Sequence, residues 1–325
     1  MYRFTAALAL AALSAPAQPA PPSSAALLQA LKLAETGHCR EALPQLSKAP
    51  GHVTAPDLKR RVGSAGVRCA MDLNDATQAV SFLLWLNREF PHDPAILYLS
   101  SHVYSDLSLR ASNELLTTAP GSPQVHELNA EALETMGKWK DAADEYRAVL
   151  AKDPAMPGIH YRLGRLLLSE PDPASPTGDA SQKNKQAAKI EFQEELKIDP
   201  NNAGAEFVLG ELARQDEQWP EAIAHFRKAT QLNAGFADAY IGLGRALVGA
   251  NRAQEAIAPL ETAVKLQPGN PAAHFQLATA YLHTGRKQDA DREFLAQKQA
   301  ADRTQQMKDE IKRQVSGDAN QKPVH

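Results

Sequence analysis

The side chains suited to metal binding or covalent catalysis are few in this 325-residue chain, which has ten histidines and two cysteines. No two histidines stand four residues apart, no H-E-x-x-H motif occurs, and two cysteines are too few for a zinc site. A G-x-S-x-G motif and a phosphate-cradling glycine loop are also missing from the sequence. Carboxylate pairs such as Glu194 and Glu195 are expected on solvated, charged helix faces. The sequence therefore predicts no catalytic residues, no metal site and no cofactor; an enzyme with an unrecognised site is the least favoured alternative.

The charge balance argues against a nucleic-acid partner. Lys and Arg total 35 against 38 Asp and Glu, so the formal net charge is −3. A protein that binds nucleic acid needs a basic excess or a basic stripe to neutralise phosphates. The apolar content of 43% is ample for a buried core, and the mixture of Leu, Ala and charged residues favours helices throughout.

The N-terminal segment has the pattern of an export signal. Arg3 supplies a positive start, Phe4–Leu13 is a short apolar run, and Ala15-Pro16-Ala17 fits an A-x-A cleavage site. The run is shorter than the roughly 20 residues that a membrane-spanning helix needs. We therefore expect residues 1–17 to be a cleaved signal peptide and 18–24 a flexible leader. The mature protein would be periplasmic or extracellular, without a stable membrane span; a disordered tail and an uncleaved anchor are the alternatives.

The second half of the chain repeats itself at a fixed step. Leu209, Leu243 and Leu277 stand 34 residues apart, as do Ala222, Ala256 and Ala290. A 34-residue period with helical spacing inside each unit indicates a stacked array of helical hairpins. The pattern resembles that of the tetratricopeptide repeat (TPR) family, and within 237–270 it is carried by Tyr240, Leu243, Gly244, Ala256, Leu260, Ala263 and Pro268. The resemblance implies an all-α fold, a right-handed α-solenoid of about eight helical hairpins with a C-terminal capping helix.

The repeat pattern divides the chain into a degenerate and a regular part. Residues 25–120 are expected to form degenerate TPR-like hairpins, the third of which is shortened, with Leu115 and Leu116 on its second helix. Residues 123–301 are expected to form the regular array.

Three smaller segments complete this organisation. One unit of the regular array is 46 residues long, and its surplus places a Pro-, Ser- and Gly-rich loop insertion at 169–184. This loop is either a tolerated insertion or a functional lid. Residues 302–315 are expected to form the capping helix and 316–325 a disordered tail.

The resemblance also implies roles for the cysteines and for three histidines. In a TPR stack the second helix of one hairpin lies antiparallel to the first helix of the next, which would bring Cys39 and Cys69 together. In an exported protein this favours a disulfide, the alternative being two separate buried thiols. His126, His160 and His274 fall in a repeat column that usually holds a bulky residue, so we expect them to pack rather than to bind a ligand.

In TPR proteins the first helix of each hairpin lines a concave surface on which partners commonly bind. Two columns of this helix, four residues apart and therefore on one face, are the predicted partner-binding groove. The first column is Glu127, Tyr161, Phe207, Ile241 and Phe275, and the second is Glu131, Arg165, Glu211, Arg245 and Thr279. We call these ten positions the first-helix face. Its aromatic and apolar side chains among charges of both signs suit an extended peptide or an amphipathic helix.

These patterns favour a non-catalytic protein–protein interaction scaffold that binds a peptide or helix of another protein in the groove. The acidic Glu127, Glu131 and Glu134 favour a basic segment at one end. Two alternatives stay open. In one, the apolar column is buried between hairpins and the Glu and Arg side chains of the face pair with one another. In the other, the protein is an architectural spacer in the cell envelope without a selective groove.

Overall fold

The chain is helical throughout the part that the structure describes. A computed structural model describes residues 23–170 and 181–318, with side chains described as far as residue 313. Within these ranges there are fifteen helices and no strand, which confirms the all-α prediction. The chain divides into two compact units, Met1–Thr118 and Ala119–His325, and each is described by itself.

The first unit contains two helical hairpins and one long helix. Its helices are α1 (Ser24–Glu35), α2 (Cys39–Leu46), α3 (Pro56–Asp72), α4 (Ala76–Glu89) and α5 (Pro94–Thr118). Leu46, Leu83 and Leu86 are completely buried in its core. Cys39 begins α2 and Cys69 lies in the last turn of α3, and the two form a disulfide with Cα atoms 4.8 Å apart. The disulfide links the first hairpin covalently to the second.

The prediction of a shortened third hairpin is wrong. Helix α5 runs without interruption from Pro94 to Thr118, so Leu115 and Leu116 lie on the same helix as Tyr98. The segment contains no glycine, and no proline after Pro94. Its one asparagine, Asn113, lies five residues from the end of the helix, so a left-handed turn there would leave no room for a second helix.

The second unit consists of five helical hairpins. They are formed by α6 (Pro123–Thr135) with α7 (Trp139–Lys152), α8 (Ile159–Ser169) with α9 (Gln182–Ile198), α10 (Ala203–Gln215) with α11 (Trp219–Leu232), α12 (Ala237–Gly249) with α13 (Ala253–Leu266), and α14 (Pro271–His283) with α15 (Lys287–Asp318). The second helix of each hairpin also packs against the first helix of the next. This is the stacking that the 34-residue period predicts.

Each hairpin turn that the structure describes passes through one left-handed residue. These residues are Gly37, Asn74, Gly137, Glu217, Asn251 and Gly285, with φ between 56° and 81°. The next backbone N–H then returns to a carbonyl of the first helix, as from His38 to Leu33 at 2.8 Å. Glycine and asparagine tolerate positive φ, so residue type alone predicts five of these six turns.

The two helices of a hairpin approach closely where a glycine on the first helix faces a large side chain on the second. A Cβ atom at Gly164 would come within 2.9 Å of the Phe192 ring, and one at Gly210 within 2.9 Å of the Phe226 ring. Phe226 also lies against Gly242 of the following hairpin, where a Cβ would be 2.5 Å from the ring. The Phe226 ring therefore packs both within its own hairpin and against the next.

Some predicted segments lie outside the described residues. These are the signal peptide 1–17, most of the leader, residues 171–180 of the loop insertion and residues 319–325 of the tail. Helix α9 begins at Gln182, within the predicted loop. No helix in the described ranges is long and apolar enough to cross a membrane.

The predicted capping segment, residues 302–315, is helical and continues α15. Its described side chains, 302–313, are all exposed, and only Met307 and Ile311 among them are large and apolar, so the segment presents a mostly polar surface. Its role as a cap of the array stays a prediction.

Candidate protein-binding face

The first-helix face is neither fully buried nor fully exposed. Tyr161 and Phe207 are partly buried, whereas Phe275 keeps 47% of its surface exposed. Ile241, expected on the accessible surface, is instead buried, because it packs in a small cluster with Ala263. Accessible apolar surface is therefore concentrated at the three aromatic positions.

A ring from the second helix of the same hairpin contacts each of these aromatic side chains. The ring centroids lie 5.7 Å apart for Tyr161 and Phe192, 5.8 Å for Phe207 and Phe226, and 6.0 Å for Phe275 and Phe294. Edge-on and tilted contacts at such distances are favourable for aromatic pairs. The accessible rings are consequently held in place by the hairpin core.

The carboxylates of the first-helix face are bound by arginines that lie outside its two columns. Arg162 forms salt bridges with both Glu127, at 3.7 Å, and Glu131. Arg214 donates to both carboxylate oxygens of Glu211, with a shortest separation of 2.8 Å. Among the described residues, the Glu and Arg side chains of the face do not pair with one another, so that part of the alternative is wrong. Its other part, burial between hairpins, holds for Ile241.

Arg165 and Arg245 are the two arginines of the face, and both are exposed. Neither forms a salt bridge with a carboxylate of the described residues. The Arg165 guanidinium carbon lies 5.9 Å from the centre of the Tyr161 ring, within cation–π range. Both guanidinium groups retain donors for a ligand.

A cavity of about 430 Å³ opens beside Tyr161 and Arg165. Its walls include Glu134, Trp139 and Arg162, which combine an aromatic surface with charges of both signs. Pockets that bind peptides or small molecules have this combination of apolar walls and a few polar groups.

Tyr146 on α7 is completely buried, and its ionisation responds to two residues that line this cavity. Burial raises the pKa of Tyr146 to about 12, while Glu134 raises it further and Arg162 opposes the rise. Its hydroxyl makes no hydrogen bond of normal geometry within the described part of the chain. The phenol therefore stays neutral at physiological pH.

Glu195 has a structural role that the sequence pattern did not reveal. Expected on a solvated face, it is only 1% exposed, and its carboxylate accepts hydrogen bonds from the backbone N–H groups of Gly158 and Tyr161 and from the Asn202 amide. Glu195 thus caps the N terminus of α8 from the neighbouring helix α9, where a negative charge is favourable. Gly158, the N-cap residue of α8, has no side chain that could cap the helix itself. A glycine at this position is the sequence feature that indicates a capping group from another helix.

Histidine–glutamate pairs connect the two helices in four hairpins of the second unit. The pairs are His126–Glu145, His160–Glu191, His225–Glu206 and His274–Glu293, with Nδ1 to carboxylate distances of 2.6–2.7 Å. We call them the His–Glu ladder. In the third pair the two residue types are exchanged between helices. Three of these histidines were expected only to pack. The structure shows that each of them also contacts a glutamate carboxylate on the other helix of its hairpin, which the sequence pattern did not indicate.

In the fourth hairpin of the second unit, formed by α12 and α13, the equivalent ladder positions hold Tyr240 and Pro259. Across the described ranges, no group of three or more His, Cys, Asp and Glu side chains is placed to hold a metal ion.

The stacked hairpins and their accessible first-helix face define an all-helical repeat protein. Residues 128–175 and 241–302 match a family model described as tetratricopeptide repeat, and residues 213–258 match a second model with the same description. The hairpins in these segments are therefore tetratricopeptide repeats. No curated protein matches the chain by sequence.

Several solved structures are similar to part of the chain. A crystal structure of MamA is 22% identical, covering 55% of this chain and 96% of its own, with a TM-score of 0.48. MamA 41-end from Desulfovibrio magneticus RS-1 is 19% identical, covering 56% and 96% respectively, with a TM-score of 0.49. YrrB, described as a TPR protein with an unusual peptide-binding site, is 17% identical, covering 58% and 92%, with a TM-score of 0.48.

Proposed function

We propose that this protein is a non-catalytic scaffold that binds a segment of another protein on the first-helix face. The observation that carries the proposal is the state of Arg165 and Arg245. Both are exposed and lack a carboxylate partner in the described ranges, although the acids Glu131 and Glu211 of the same column are already paired. Unpaired guanidinium groups beside fixed aromatic rings are a common basis of protein recognition.

The same salt bridges bear on the chemistry of the ligand. Glu127 and Glu131, which favoured a basic ligand, are both occupied by Arg162. We therefore propose that the bound segment carries acidic side chains for the two free arginines and apolar side chains for the aromatic rings. Within the described ranges, Glu134 and Asp238 also lie on first helices without a salt bridge, so the proposed recognition depends on the positions of the guanidinium groups rather than on net charge.

A display library of random dodecapeptides tests this function directly. We expect the full-length protein to enrich peptides that combine Asp or Glu with apolar residues. The double variant Arg165→Glu/Arg245→Glu should bind these peptides at least about tenfold more weakly, equivalent to about 1.4 kcal/mol.

Lys228→Glu is the matched control, because Lys228 is an exposed base on the second helix α11. It should leave peptide binding unchanged. Failure to enrich any peptide would contradict the proposed function and favour a spacer. Equal binding by the double variant and the wild type would place the binding surface elsewhere.

We also propose that the protein is exported, to the periplasm or the exterior of the cell. The Cys39–Cys69 disulfide supports an oxidising compartment, and the signal-like segment before it supports secretion. On expression of the full chain in a bacterium, the protein should be recovered from the periplasm or medium. Its intact mass should correspond to a chain that begins at Gln18 with the disulfide formed. Recovery of the uncleaved chain with two free thiols from the cytoplasm would contradict export.

A further inference from the structure

Helix α5 is packed on one side only. Ile96, Ser100 and Val103 are its buried residues, and the Ser100 hydroxyl exchanges hydrogen bonds with the amide of Asn87 on α4. Every other first helix that the structure describes is covered by the second helix of its hairpin, whereas α5 has no such helix. Its opposite side is therefore left without a partner within the first unit.

This uncovered side carries a regular seam. Tyr98, His102, Ser105, Leu109, Ser112 and Leu116 follow one another at steps of four, three, four, three and four residues. All are exposed except the partly buried Ser112, and Tyr98 and Leu109 expose 69% and 60% of their surfaces. Alternating steps of three and four are the spacing of the contact seam in a pair of coiled helices.

The order of large and small residues makes the seam complementary to itself. When two such helices run antiparallel about a two-fold axis near Leu107, Tyr98 meets Leu116, His102 meets Ser112, and Ser105 meets Leu109. In two of the three layers a large side chain then faces a serine, so the layers interdigitate rather than clash. A two-fold contact of this kind repeats each layer twice.

Charge does not oppose the pairing. The helix has only three charged residues, Asp106, Arg110 and Glu114, and none of them belongs to the seam. Asp106 and Arg110 form a salt bridge at 2.8 Å, and Arg110 also donates to Asn74. From the spacing, exposure and self-complementarity of the seam, we propose that α5 is a homodimerisation surface that pairs antiparallel with α5 of a second copy of the chain.

The molar mass of the full-length protein in solution tests this surface. A single helix pair lies at the small end of specific interfaces, near about 1,200 Å² of buried surface, so the dimer should dissociate on dilution. Leu109→Lys places a charge in the seam and should yield a monomer throughout a concentration series measured by sedimentation. Leu84→Lys is the control, since Leu84 on α4 is also 60% exposed but lies outside the seam, and it should leave the dimer unchanged.

A wild-type protein that is monomeric at every concentration would overturn the proposal. So would a Leu109→Lys variant that dimerises as the wild type does. Circular dichroism of both lysine variants shows whether the fold is retained.

Disulfide cross-linking tests the antiparallel orientation separately. The two native cysteines are bonded to each other, so an introduced cysteine supplies the free thiol. A mixture of Tyr98→Cys and Leu116→Cys proteins should form a covalent dimer on oxidation. Either variant alone should not, because identical positions at one end of an antiparallel pair are about 27 Å apart at 1.5 Å per residue. Cross-linking of either variant to itself when it is oxidised alone would overturn the antiparallel arrangement.

Discussion

The Glu195 carboxylate accepts hydrogen bonds from the backbone N–H of Gly158 at 2.9 and 3.1 Å, across 37 residues of sequence. Glu195→Ala should lower the free energy of unfolding by about 2–3 kcal/mol, because it leaves N-terminal donors of α8 buried and unpaired. Urea unfolding measures the loss. Glu194→Ala, at the neighbouring half-exposed position, removes only a surface ion pair with Lys197 and should change stability by less than about 0.5 kcal/mol. Equal losses in the two variants would show that Glu195 does not act as a cap.

The exchanged pair His225–Glu206 predicts that the His–Glu ladder tolerates either orientation. His160→Glu and Glu191→His should each destabilise the protein by about 1–3 kcal/mol. The first variant places two partly buried carboxylates against each other, and the second places two imidazoles against each other, so the original hydrogen bond is lost in both. The double variant restores the pair with its members exchanged and should recover most of the stability. Thermal unfolding of the wild type, the two single variants and the double variant completes a double-mutant cycle. Additive losses in the double variant would mean that the two side chains contribute independently.

The contact between Phe226 and Gly242 predicts a steric requirement for glycine. Gly242→Ala places a methyl group 2.5 Å from the Phe226 ring, so the second unit should lose about 1–3 kcal/mol through overpacking. Gly269→Ala is the control, because no atom lies within 4 Å of its added Cβ. That variant should be neutral or slightly more stable, since alanine restricts the unfolded chain. A neutral result for Gly242→Ala would mean that the Phe226 ring moves aside without cost.

The buried hydroxyl of Tyr146 predicts a dependence of stability on alkaline pH. Its pKa is raised from 10.0 to about 12 in the folded protein, so the neutral phenol is favoured by folding. This contribution is fully present below pH 10 and is lost as the pH rises through about 12. Urea unfolding at pH 7 and pH 11 should show that Tyr146→Phe reduces the alkaline loss.

At pH 7 the same variant should be as stable as the wild type, or more stable by up to about 1 kcal/mol, because it removes a buried hydroxyl that makes no hydrogen bond of normal geometry within the described residues. Tyr104→Phe, at a 41% exposed position outside the α5 seam, is the control and should alter neither measurement. A clear loss of stability for Tyr146→Phe at neutral pH would indicate that the hydroxyl is hydrogen-bonded in solution.

Features that repeat along the chain could be predicted because each depends on a few neighbouring residues. The 34-residue period locates the hairpins, and glycine or asparagine marks most of their turns. The spacing of 16 residues between Gly210 and Phe226 recurs between Gly244 and Leu260, so the close contacts within hairpins are also periodic. Residue type and spacing carry this information by themselves.

The third hairpin shows where such prediction fails. Its sequence is long enough for two short helices, but without a glycine or a centrally placed asparagine the backbone continues as α5. The period gives the expected length of a unit and does not determine whether the chain reverses inside it. That depends on whether a residue can adopt the left-handed conformation at low cost.

The sequence by itself determined the helical class, the repeat length and the columns that form the first-helix face. Only the tertiary structure decided which charges on that face are free. Glu211 has Arg214 one turn away, and Glu131 forms a salt bridge with Arg162 of the next hairpin. Arg165 has no carboxylate partner within the described ranges. Helical periodicity is a short-range property, whereas the choice among several charged neighbours depends on three-dimensional distances between helices. For that reason the face was predictable from the sequence and the distribution of its unpaired charge was not.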